Sequence, residues 1–163
     1  MATRYFSLDE ARALIPQIRA QLGTALQLHA ALRQLIETIN DAGYDVDWAT
    51  LNGEVDLDDE AGPADLRNLE KARGLYAMLR SVVEGIEAEG PEVKGVVDGL
   101  VDFPTWCDGE KEVLLCWKMG EPTIDFFHGM RDGFAGRRPL GEHRFVAAPS
   151  QREDSHPLSR AGK

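Results

Sequence analysis

EKEVLLCWKMGEPTIDFFHGMRDGFAGRRPL, residues 110–140, holds two short runs rich in β-branched, aromatic and apolar side chains, at 113–118 and 123–128, with Met119, Gly120, Glu121 and Pro122 between them. That is strand, turn, strand chemistry, and it predicts a β-hairpin. With Lys118 set opposite Thr123, Trp117 faces Ile124, Leu115 faces Phe126 and Val113 faces His128 on an apolar side. Leu114 with Phe127 and Cys116 with Asp125 then line a more mixed side. A slip of one residue would exchange the two faces, so the neighbours expected for His128 depend on this register.

Upstream of the hairpin the period is also two. Residues 93–97 and 99–103 are strand candidates separated by Asp98-Gly99, and Asp108-Gly109 offers a second turn pair before the hairpin, which makes a small antiparallel meander over 92–128. Further back the period lengthens. Ser7-Leu8-Asp9-Glu10 is a capping-box pattern. From it Leu8, Ala11, Ile15, Ile18, Leu22, Ala25, His29, Leu32, Ile36 and Ile39 alternate by three and four, a coiled-coil spacing widened by Leu14, Leu26, Leu28 and Leu35 into a bundle-type stripe. Pro16 interrupts this pattern past the first turn, where a kink is expected. A second helix begins at Pro63 and runs through Leu69, Ala72, Tyr76, Leu79, Val83 and Ile86 to Gly90-Pro91.

Helices first and strands afterwards predict an α+β fold: two long antiparallel helices over 7–90, then the small antiparallel sheet, then a glycine and arginine loop over 129–144. Residues 1–144 are expected to form one domain. From 145 to 163 the chain has neither periodicity nor enough apolar content to fold, and a disordered tail is expected.

The 163 residues carry a formal charge of −10, which argues against nucleic acid or an anionic membrane as the main partner. The charge is polarised. Residues 41–65 hold nine acids and no Lys or Arg, whereas Arg131, Arg137, Arg138 and Arg144 cluster near the end. Asp56, Asp58 and Glu60 imitate a calcium loop, but Ala61 and Arg67 stand where Gly and a closing Glu are required. With two cysteines, no secretory signal and no membrane-length apolar run, the expected compartment is the cytoplasm.

Several motifs stand together in this chain: Gly99-Leu100-Val101-Asp102-Phe103-Pro104, Leu115-Cys116-Trp117, Gly120-Glu121-Pro122, Phe127-His128, and Gly133-Phe134-Ala135-Gly136-Arg137-Arg138-Pro139-Leu140. With the opening Phe6-Ser7-Leu8, Glu10-Ala11 and Leu14-Ile15-Pro16, the chain resembles the bacterial family called domain of unknown function 2203 over about residues 4–144. The resemblance implies a soluble bacterial domain and transfers no catalytic residue.

Three functional readings remain. The first is a mononuclear metal site on His128, Asp102 and Glu121, with Cys116 or His143 as further donors, a ligand set that suits zinc, iron or manganese. Strand rise separates Glu121 from His128, so Asp102 with His128 is the favoured pair and Glu121 the expendable third. The competing reading makes Asp102 a turn carboxylate, Glu121 a solvated tip and His128 a hydrogen-bonded core residue. The second is a small anionic ligand held by Arg137 and Arg138 against Trp117, with glycines 129, 133, 136 and 141 allowing close backbone approach; its rival has these arginines pairing within the molecule. The third is a non-enzymatic helical-hairpin interaction module, whose partner would include a second copy of the chain joined through the helices. Nucleophilic catalysis has little support, since the cysteines are not spaced as a redox pair and no Ser stands in a nucleophile elbow.

Overall fold

A computed structural model describes residues 2–151. Helix α1 (Leu8–Asp41) starts where the capping box places it. Ser7 Oγ accepts from the Glu10 N–H at 3.1 Å and Glu10 Oε1 accepts from the Ser7 N–H at 3.3 Å. Of the predicted stripe, Ala11, Ile15, Ile18, Leu22, Ala25, Leu32 and Ile39 are buried, and Pro16 lies inside the helix. The acidic segment contains one short turn, α2 (Trp48–Leu51), capped by Asp47. Helix α3 (Pro63–Glu87) has Pro63 in its first turn and buries Leu69, Ala72, Leu79 and Ile86. The apolar faces of α1 and α3 share one core. Among the described residues no helix is long and apolar enough to cross a membrane.

Among the described residues six antiparallel strands follow: β1 (Glu92–Gly95), β2 (Leu100–Cys107), β3 (Lys111–Lys118), β4 (Phe126–Gly129), β5 (Arg138–Pro139) and β6 (Phe145–Val146). They pair in the order β1-β2-β3-β4-β5, with β6 on the far end of β2. β1 covers the start of that edge of β2 and β6 its end. Pro104, which has no N–H to donate, sits in the gap between them, and its carbonyl accepts from the Phe6 N–H at 2.8 Å. Phe6 is fully buried edge-on against Phe103, 5.4 Å between ring centres, which fastens the start of α1 to the middle of the sheet.

Alternation sorts the strands into two faces. Val101, Phe103, Val113, Leu115 and Trp117 join the core that the helices build. Asp102, Leu114, Cys116 and His128 point the other way. They are buried as well, because the chain after β4 returns over that outer face.

The hairpin differs from its expected register by one residue. Leu114 pairs with His128, Leu115 with Phe127 and Cys116 with Phe126, so His128 stands on the side of Leu114 and Cys116 rather than on that of Val113 and Trp117. The cause lies in the connection, which runs to residue 125 instead of closing at Pro122. The Lys118 N–H donates to Glu121 Oε1 at 2.6 Å rather than to a strand partner, and Trp117 Nε1 donates to the Glu121 carbonyl at 3.0 Å. Arg12 and Arg19 of α1 hold the carbonyls of Ile124 and Pro122, and Ile124 is drawn fully into the core. Thr123 and Ile124 therefore belong to the loop.

The expected disordered tail also begins too early at 145. Phe145 is buried and pairs with Cys107, Val146 pairs with Trp106, and the Ser150 N–H donates to the Gly109 carbonyl at 2.7 Å. Two apolar residues suffice because a free length of β2 edge awaits them. The remainder of that tail, 152–163, lies outside the described residues.

Candidate functional site

The outer face of the sheet gathers three unlike donor groups. Asp102 on β2 is directly opposite Cys116 on β3, and His128 on β4 stands two residues along the same face. All three are buried, with Asp102 and His128 each 2% exposed and Cys116 1%. One donor atom from each lies within 4.8 Å of the other two. The Asp108-Gly109 turn sets this pairing, with Asp108 at φ 55° and Gly109 at φ 71° placing Cys107 opposite Lys111. Counting back along β2 and forward along β3 brings residue 102 opposite 116. That count was available in the sequence as a signal for Cys116.

The hydrogen bonds of the imidazole limit its chemistry. His128 Nδ1 lies 2.9 Å from the Gly129 carbonyl, which can only accept, so Nδ1 carries a proton. Nε2 points at Asp102 Oδ2, 3.1 Å away. A lone pair aimed at a carboxylate repels it, so this contact needs a shared proton or a cation at Nε2. Cys116 adds a third claim on the same volume. Burial first, and the neighbouring Asp102 charge second, push its thiol from an ordinary 9.0 up to about 12, so without a metal it is a protonated, poorly nucleophilic group.

In metal-free protein the unfolded chain releases the Cys116 proton near pH 9, whereas the folded chain keeps it to about 12. Folding stability from this group is therefore intact below pH 9 and falls above it, by about 1.4 kcal/mol per pH unit. Urea midpoints of the metal-free protein and of Cys116→Ser, measured between pH 9 and 11, are expected to diverge, the variant losing stability less steeply. Parallel curves would place the thiol in water.

A cavity of about 300 Å³ opens onto the three donors. Leu100, Leu114, Met130 and Phe134 line its sides, and Lys94 and Arg131 its rim. One wall is the segment after β4. There a Cβ on Gly129 would collide with the Asp132 carboxylate, which would have to move and give up the Gly129 N–H it accepts at 3.1 Å. Gly133 turns at φ 61° into the single turn of 3-10 helix Phe134–Gly136. Both glycines thus shape the wall.

The remaining residues named from the sequence fall elsewhere. Glu121 is not with Asp102 and His128; both its oxygens accept from Arg137 Nη2, at 2.6 and 2.8 Å. That guanidinium also donates to the Cys116 carbonyl and stacks on Phe126 and Phe134, 4.1 and 4.8 Å from the ring centres. It fastens the cavity wall to the hairpin. Arg138 lies over Phe127, and Trp117 is fully buried on the helix side of the sheet. Arg137, Arg138 and Trp117 are not brought together, since alternation separates the faces and Arg137 Nη2 is committed to Glu121 and to the Cys116 carbonyl, while its buried Nε has no partner among the described residues. His143 joins Cys107 and Asp108 in a second, half-exposed cluster. There Asp108 accepts from His143 Nδ1 at 2.7 Å and from the Arg144 N–H at 2.9 Å, which ties the strand-forming end of the chain to the β2–β3 turn. His29 is half-buried on α1, far along the helix from the sheet.

A family model described as an uncharacterized conserved protein, DUF2203, matches residues 4–140. No curated protein and no solved structure matches the chain.

Proposed function

Since the chain belongs to the DUF2203 family, whose description assigns no activity, its chemistry has to be read from its own residues, and we propose that it binds one divalent transition metal on Asp102, Cys116 and His128. The observation that carries this reading is the imidazole whose protonated Nδ1 is committed to a carbonyl while Nε2 meets a carboxylate beside a buried thiol. Nδ1–H held by a backbone carbonyl is the arrangement that orients a ligating histidine. One nitrogen, one oxygen and one sulfur donor select zinc foremost, with iron and manganese behind it because a thiolate disfavours the harder ion. Tetrahedral bonds to zinc separate ligand atoms by about 3.3–3.8 Å, so small side-chain rotations close the set.

Three protein ligands would leave a fourth position for water or substrate, and Asp102, Cys116 and His128 all line the cavity. Water bound there would be acidified toward about pH 7, giving a hydroxide or a Lewis-acid position to whatever enters. Cobalt(II) titration of protein prepared without a histidine tag tests the reading. One equivalent is expected to produce a thiolate-to-cobalt charge-transfer band that Cys116→Ser removes. A band unchanged in that variant, or none in the parent, would reject it.

A second reading, an interaction module, is favoured by a groove of about 720 Å³ between α1, α2 and α3, beside which Trp48 is 68% exposed. The acidic segment around it suits a basic amphipathic helix better than a second copy of a chain of charge −10. A Lys/Leu helical peptide is expected to bind the parent more tightly than Trp48→Ala, and a Glu/Leu peptide not at all. Equal binding of both peptides would end this reading.

A further inference from the structure

The cavity above the three donors has a charge pattern that selects its occupant. Zinc with one carboxylate, one thiolate and one neutral imidazole is a centre of zero net charge. The other charged residues that line the cavity are Lys94 and Arg131, both cationic, in a chain that is otherwise strongly acidic. Lys94 is held by Glu92 at 2.7 Å on an exposed part of β1, while Arg131 is exposed and makes no ion pair among the described residues. A forked, unpaired guanidinium at the mouth of an apolar pocket is a matched donor for a planar carboxylate or a phosphate.

The walls and the volume limit the rest of the molecule. Leu100, Leu114, Met130 and Phe134 offer apolar surface. About 300 Å³ corresponds to about ten water volumes, hence a ligand of about ten heavy atoms. We infer that the cavity binds a small organic anion, its acid group on Arg131 and Lys94, its carbon skeleton against Phe134 and Met130, and its far end at the Asp102–Cys116–His128 centre. This rests on the metal reading for what the far end meets, but the acid group is recognised at the rim whether or not a metal is present. It also moves the anion site from Arg137 and Arg138 to Arg131.

Calorimetric titration of the full zinc-treated chain with benzoate, phenyl phosphate and benzamide tests the inference. At least one of the two anions is expected to bind and the neutral amide not to, the better anion showing whether the rim prefers carboxylate or phosphate. Arg131→Gln is expected to weaken that anion about tenfold or more, as loss of a charged hydrogen-bond donor does, and its cobalt spectrum reports whether the variant remains folded around the centre. Failure of both anions to bind, benzamide binding as tightly as benzoate, or unchanged affinity in Arg131→Gln would overturn it. The same titration on chelator-stripped protein separates the two ideas. Arg131-dependent anion binding in a chain that takes up no metal supports this inference and rejects the metal, whereas metal uptake without anion binding does the reverse.

Discussion

His128→Ala is expected to lower metal affinity by at least about a hundredfold, and Glu121→Ala to leave it within a few-fold of the parent. The first figure is a floor, since losing even an outer partner of a ligand costs about 10- to 100-fold and His128 would supply a donor atom itself. The second follows from position, because the Glu121 carboxylate is spent on Arg137 and on the Lys118 N–H. Stability is expected to fall in both variants, since His128→Ala strips the partner from the buried Asp102 carboxylate as well. The Glu121 and Arg137 side chains are 22% and 13% exposed, so Glu121→Ala leaves a guanidinium largely buried without its charge partner. Breaking a fully buried pair costs about 3–5 kcal/mol, and the partial exposure brings the expectation to about 2–3 kcal/mol. Urea unfolding beside competitive zinc titration measures both quantities. Equal effects of the two substitutions on metal affinity would return Glu121 to the centre.

Trp117→Ala is the most damaging single change expected in the sheet. Trp117 is fully buried on the helix side, and its Nε1–H satisfies the Glu121 carbonyl that shapes the long hairpin loop. Emptying an aromatic site of this kind costs about 3–5 kcal/mol, and the orphaned carbonyl adds to it. Yet Trp117 and Cys116 point to opposite faces, so below its lowered melting temperature the variant should still take up cobalt. Thermal unfolding with and without metal checks this, as metal should raise the midpoint of parent and variant alike. A folded Trp117→Ala protein that had lost cobalt binding would show that the two faces are not separable in the way their alternation implies.

The helices were legible because their determinants are local. Ser7 and Glu10 cap within one turn, Pro63 pre-sets a first turn, and a three-and-four stripe from Ala11 to Ile39 is a property of contiguous sequence. The turns at Asp98-Gly99 and Asp108-Gly109 are local too, which is why the antiparallel order of the first three strands could be read. The register of β3 against β4 could not. It is decided by Arg12 and Arg19, which hold the loop carbonyls from more than a hundred residues away, and by the Glu121 side chain replacing a strand partner at Lys118. A turn closed at 119–122 puts His128 on the face of Val113, whereas the longer loop puts it on the face of Leu114, beside Asp102. Arg131 was invisible for a similar reason. Its place at the cavity rim comes from the return of the chain over the sheet, pinned by the Arg137 contact with Glu121, and nothing in the local sequence of 129–144 distinguishes it from Arg137 or Arg138.

X-ray absorption at the zinc edge, on tag-free protein loaded with one equivalent of zinc, probes the centre most directly. One sulfur at about 2.3 Å with nitrogen and oxygen neighbours at about 2.0–2.1 Å in fourfold coordination is the expected result, the sulfur vanishing in Cys116→Ser. A shell of oxygen and nitrogen alone, the same in parent and variant, would mean that zinc sits elsewhere and that Asp102, Cys116 and His128 are only a hydrogen-bonded part of the sheet.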